Sequence, residues 1–184
     1  LASDAAQIFQ VTDEQKDALD DLEINRRMLV EGFAGTGKTI LAQEFAKRLG
    51  AGNKEVLLLF YNKFIAKKTR YAFERESSVN CTTYHSFAKR LINDLEPGWW
   101  EDNFSKKEED AFWTDTAPLK VLSLCEEFPN ELKKYDAIII DEGQDFKPDW
   151  METLTYFLSN DDDSQFVVFK DKHQDIFNRS TGFD

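Results

Sequence analysis

Gly32, Gly37, Lys38 and Thr39 stand at the spacing G-x-x-x-x-G-K-[ST] within "EGFAGTGKT", residues 31 to 39. Glycines so placed let successive backbone N–H groups turn inward around phosphate oxygens. A helix starting behind them offers the same anion its positive end. In this reading Gly32, Ala34, Gly35, Thr36, Gly37, Lys38 and Thr39 hold a nucleotide, with the Lys38 ammonium at the β- and γ-phosphates and the Thr39 hydroxyl on Mg²⁺. A plain glycine turn before a helix would account for neither Lys38 nor the apolar run ahead of it. Hydrolysis needs a second component, an acid at the end of another buried strand. "AIIIDEGQD", residues 137 to 145, supplies it: Asp141 is placed to hold Mg²⁺, and Glu142 to orient and deprotonate the attacking water. An isolated Asp-Glu pair is a common acidic cap on a strand, but the loop upstream gives this pair a partner.

Both motifs must be carried by strands, and the chain supplies them. Short apolar runs, "RMLVE" (27 to 31), "EVLLLFY" (55 to 61), "VNCTTY" (79 to 84), "DAIIID" (136 to 141) and "QFVVFKD" (165 to 171), alternate with stretches of helical period. That pattern predicts an α/β fold, a P-loop three-layer sandwich with a mostly parallel central sheet. Between the first two runs, "KTILAQEFAKRLG" places Leu41, Phe45 and Leu49 on one helix face and stops at Gly50. Residues 93 to 134 are less regular and read as an insertion of short helices within a single domain of residues 1 to 184.

Composition narrows the classes. The 41% apolar fraction and 16 phenylalanines support a real core, and 32% charged residues support a solvated surface. No apolar run approaches the roughly 20 residues that span a bilayer, so the expectation is a cytoplasmic protein with no membrane partner. Cys81 and Cys125 do not group with His85 or His173 at metal-ligand spacing, which argues against a zinc site or a disulfide scaffold. The net charge of −12 opposes nucleic-acid binding. Its distribution does not: residues 63 to 90 carry seven basic side chains against two acids, while residues 93 to 115 carry eight acids against two lysines.

"GFAGTGKT" with "IIIDEGQD" resembles the nucleotide motifs of superfamily 1 helicases, and Gln144 with Asp145 is most similar to the UvrD/Rep-type branch. Four further stretches fall in family order: "VTDEQKDAL" resembles the adenine-reading segment, "VLLLFYNKFIAKKTR" motif Ia, "CTTYHSFAKRL" motif Ib and "VVFKDKHQDIF" motif III. The resemblance implies the first RecA-like ATP-binding domain of a helicase or translocase on single-stranded DNA. Gln15 would read the adenine edge, although Thr12 and Gln15 also form a helix capping box. Gln174 would sense the γ-phosphate; Lys170 stands where the family usually has glycine. Asn62, Lys63, Phe64, Thr83, His85 and Ser86 would contact the nucleic acid from the carboxyl ends of parallel strands. Two of these have structural alternatives, Phe64 as core and Thr83 as a helix cap.

The family's second RecA-like domain, which supplies the arginines that complete catalysis, has no counterpart after motif III. The chain is therefore expected to be a fragment that turns ATP over poorly and binds DNA weakly by itself. The competing expectations are a nucleotide-dependent switch or binding module that unwinds nothing, and a motor directed to RNA.

Overall fold

The computed structural model describes residues 13–33, 35–74, 76–104, 109–159 and 163–172. Five strands, β1 (Arg27–Gly32), β2 (Val56–Phe60), β3 (Val79–Thr83), β4 (Ala137–Ile140) and β5 (Gln165–Asp171), form one sheet in the order β1-β5-β4-β2-β3. Every pairing is parallel. β2 and β4 are buried at every position, as a parallel sheet covered on both faces requires.

Alternation along the strands divides the core in two. Leu57, Leu59, Ile138, Ile140 and Val168 pack with buried side chains of α4 (Tyr84–Leu95), α7 (Ala117–Glu127) and α8 (Pro148–Thr155). Val56, Leu58, Phe60, Ile139, Val167 and Phe169 pack on the other face with α1 (Asp13–Ile24), α2 (Lys38–Ala51) and α3 (Lys63–Ala72). The result is the α/β three-layer sandwich. The Gln165 amide fastens α1 to it, donating to the carbonyls of Leu22 (2.7 Å) and Asn25 (3.1 Å). Among the described residues no helix is long and apolar enough to cross a membrane.

The segment between α4 and β4 holds α5 (Trp99–Asn103), α6 (Glu109–Ala111), a π-helical turn (Phe112–Thr116) and α7. Glu101, Asp102, Glu109, Asp110 and Asp115 face outward, while Trp100, Phe112, Trp113, Val121 and Leu124 enter the first core. Ring contacts hold it there, with Trp100 at 5.0 Å from Phe112 in an edge arrangement. Trp100 is thus a core residue despite its acidic surroundings.

The strand order decides the site. The chain leaves β1 and returns three positions away at β2, so β5 enters last, between β1 and β4. The carboxyl ends of β1, β5 and β4 therefore stand side by side, at the edge where open α/β sheets bind ligands, near the point at which the strand order reverses.

Candidate nucleotide site and the adjoining groove

The loop after β1 turns through Gly35 (φ 80°) and Gly37 (φ 85°), a left-handed backbone that favours glycine at both positions. A Cβ at Gly32 would come within 2.9 Å of Thr36 Oγ1, so the tight entry to the loop also needs a bare backbone. Gly37 caps α2 without any side-chain hydrogen bond, leaving the helix's first N–H groups to an anion. The Lys38 ammonium lies over this cradle. It donates to the carbonyls of Gly32 (3.0 Å) and Phe33 (2.8 Å) and pairs with the Asp171 carboxylate at 2.5 Å.

Thr39 and Asp141, 102 residues apart in sequence, meet directly: the Thr39 hydroxyl donates to Asp141 Oδ2 at 2.7 Å. Asp141 is 1% exposed. Burial pushes its carboxyl up to about 6, with the Thr39 bond acting the other way. Asp145 is also raised, by burial first and then by Glu142 and Asp171. The buried Asp141 carboxylate and the Thr39 hydroxyl are hard oxygen donors of the kind Mg²⁺ takes.

Glu142 follows with a left-handed backbone (φ 56°) and opens a 3₁₀ turn, Gly143–Asp145. Gly143 lets this turn lie on β5, because a Cβ there would meet Val168 Cγ1 at 2.3 Å. Gln144 bridges the two strand ends: its Nε2 donates to Glu142 Oε2, and its Oε1 accepts from the Asp171 N–H at 3.0 Å. Lys170 lies in β5 opposite Glu31 and pairs with that residue at 3.1 Å.

At the carboxyl ends of β2 and β3 a groove of ≈ 570 Å³ collects Asn62, Lys63, His85 and Ser86, together with Tyr61 and Lys89. Trp100, Phe104, Glu109 and Trp113 bring the segment between α4 and β4 in as one wall. Several of the polar groups here are already engaged. Asn62 caps α3, accepting from the N–H groups of Phe64 (2.8 Å) and Ile65 (3.3 Å). Thr83 is buried and caps α4, accepting from Ser86 N–H at 3.2 Å, so it shapes the groove through Ser86 instead of lining it. Phe64 is 76% exposed, which corrects the core alternative and leaves its ring face open. His85 lies in a ring cluster, its centroid 4.3 Å from Trp113, 5.0 Å from Trp150 and 5.8 Å from Tyr61. Burial, then Lys63 and Lys147, lowers its pKa to about 4, so the imidazole is neutral at pH 7.

Ala34 and Gln174 lie outside the described residues, as does the side chain of Gln15, which falls within α1. Sequence reasoning had no assignment for Asp171 as the partner of Lys38, for the Gln144 bridge, or for Tyr61 and Trp113 in the groove. Of these, Tyr61 carried a signal in its place beside Asn62 at a strand end, and Gln144 in its place within the Asp-Glu motif.

A glycine loop between β1 and α2, a threonine-aspartate contact across to β4, and a glutamate after it define a P-loop nucleotide-binding domain. Residues 15–179 match the AAA domain family, to which this chain belongs. It is similar to F-box DNA helicase 1 of Gallus gallus, with 33% identity over 99 residues that make up 53% of this chain and 9% of that protein. A crystal structure of Bacteroides Pif1 bound to ssDNA aligns with a TM-score of 0.45 and 19% identity over 89% of this chain and 32% of that one. The chain thus spans less than a tenth of the first relative and about a third of the second. The family match and the likeness to F-box DNA helicase 1 agree with the motif-level resemblance to superfamily 1 helicases.

Proposed function

We propose that this chain is the ATP-binding and hydrolysing first RecA-like domain of a cytoplasmic superfamily 1 helicase or translocase acting on single-stranded DNA, working with a second RecA-like domain of the same protein. The observation that carries the reading is the direct Thr39–Asp141 contact beside Lys38 and Glu142. These four residues lie at one sheet edge, next to a groove whose lining combines Lys63 and Lys89 with aromatic rings and one acid, Glu109.

In this mechanism Lys38 leaves Asp171 and donates to the phosphates of bound ATP, with the loop N–H groups and the start of α2 holding the remaining charge. Thr39 and Asp141 would hold Mg²⁺, which when bound offsets charge on the phosphate oxygens. Glu142 orients the attacking water and accepts its proton. In the groove Lys63 and Lys89 meet phosphates, Tyr61 offers a ring face to bases, and Ser86 and the neutral His85 supply hydrogen bonds, while the exposed Phe64 ring, outside the groove lining, offers a further face. Gln15 reads the adenine and Gln174 senses the γ-phosphate. Different affinities for the strand in different nucleotide states would drive stepping.

The net charge of −12 favours one second reading, a nucleotide-dependent binding module that moves along nothing. Anisotropy titrations of a labelled single-stranded DNA oligonucleotide at several salt concentrations separate the two. The motor reading expects weak binding whose log-log salt slope falls by about one when Lys63 or Lys89 becomes alanine. Binding indifferent to salt and to both substitutions would remove the DNA role, and equal affinity for RNA of the same sequence would remove the preference for DNA.

A further inference from the structure

Glu142 is one of two described non-glycine residues with positive φ, the other being Asn53 in the turn after α2. A left-handed glutamate persists only where its surroundings hold it, and such residues gather at sites that need one fixed geometry. Here the holding groups are identifiable. Gly143 lies against Val168, Asp145 N–H donates to the Glu142 carbonyl at 3.0 Å, and Phe146 N–H donates to the Gly143 carbonyl at 3.1 Å. These contacts fix the backbone and leave the carboxylate to be aimed by something else. Gln144 reaches it: the Gln144 amide donates to Glu142 Oε2, while its oxygen accepts from Asp171 N–H. Asp171 is also the residue whose carboxylate pairs with Lys38, and Lys172 N–H donates to the Gly32 carbonyl at 3.0 Å, at the mouth of the loop. A continuous set of contacts thus runs from the phosphate-binding lysine, through the end of β5, to the carboxylate assigned as base.

We propose that Gln144 is a positioning residue for hydrolysis, its amide aiming the Glu142 carboxylate and linking it to the end of β5, where Lys38 is held. When Lys38 turns from Asp171 to a phosphate, the end of β5 is free to shift, and Gln144 carries that shift to Glu142. The inference rests on the nucleotide reading above and adds a residue that this reading does not require.

A double-mutant cycle tests it, with single-turnover ATP hydrolysis and nucleotide affinity measured for the whole chain. Gln144→Ala is expected to slow hydrolysis by about 10- to 100-fold, the range for a misaimed catalytic group, while changing the Kd for ATP by less than about twofold. In a Glu142→Gln background the same change is expected to cost nothing further, because the two residues act as one unit. Gln144→Glu keeps the size and one acceptor oxygen but removes the donor facing Glu142, and is expected to be as slow as Gln144→Ala. Independent, multiplicative losses from Gln144→Ala and Glu142→Gln would overturn the proposal, as would a Gln144→Glu variant at the parent rate or a loss that appears as weaker ATP binding. Failure of the nucleotide reading looks different: Lys38→Ala and Glu142→Gln would then leave ATP binding and turnover as they are.

Discussion

The two halves of the carboxyl edge use polar side chains differently. On the β1, β5 and β4 side, Lys38, Thr39, Asp141, Glu142, Gln144 and Asp171 bond chiefly to one another, through charged groups brought together from distant parts of the sequence. On the β2 and β3 side, Asn62 and Thr83 bond to the first turn of the helix that follows them. The first arrangement is poised for a ligand that replaces those bonds, and it has little structural purpose of its own. The second is a scaffold that would exist with or without a ligand. Motif residues of the first kind should therefore be lost as chemistry, and those of the second kind as stability.

Substitutions can break that contrast, and the largest effects belong to the first side. Lys38→Ala removes a preorganised donor and is expected to lower ATP turnover by about 10² to 10³-fold in a phosphate-release assay. Glu142→Gln is expected to cost about 10²-fold or more in turnover while ATP affinity stays close to the parent value. On the scaffold side the largest change is Trp150→Ala. The Trp150 ring is fully buried and stacked on Tyr84 at 4.3 Å. Its removal is expected to cost about 3 to 5 kcal/mol in urea unfolding and to disorder the contacts of His85. Thr83→Ala should cost about 1 kcal/mol through the lost cap of α4. A turnover loss from Thr83→Ala without that destabilisation would blur the division drawn above.

A pH slope is a further expected effect. His85 has its folded pKa lowered to about 4 from 6.5, by burial and then by Lys63 and Lys147. Its neutral form therefore favours the fold fully above pH 6.5, and this contribution is lost as pH falls toward 4, where the unfolded chain binds a proton that the folded one refuses. Asp141, raised by burial, works in the opposite direction over the same range. Comparing unfolding of the parent with His85→Gln at each pH cancels the Asp141 contribution. The variant is expected to lose less stability between pH 6.5 and 4.

The strands were legible because buried parallel strands read as unbroken apolar runs: "VLLLF" and "AIII" needed only their length and composition. The P-loop and the Asp141–Glu142 pair were legible because their chemistry is written in local spacing. Asp171 beside Lys38 was not, since it depends on β5 lying between β1 and β4, and strand order leaves no mark in local sequence. Trp113 was hidden for another reason. It stands between Asp110 and Asp115 in an acidic stretch, and only the turn of the helix shows that the ring is buried while Asp115 is exposed. Helix caps and ligand-binding residues share the same residue types, so Asn62 and Thr83 could be read either way until their bonds were seen.

ATP turnover by this chain, with and without single-stranded DNA and with Lys38→Ala and Glu142→Gln alongside, tests the central claim most directly. The account predicts slow, Mg²⁺-dependent turnover that both substitutions abolish, and a rate that rises with DNA when the second RecA-like domain is supplied. Absence of ATP binding, or turnover that survives both substitutions, would contradict it.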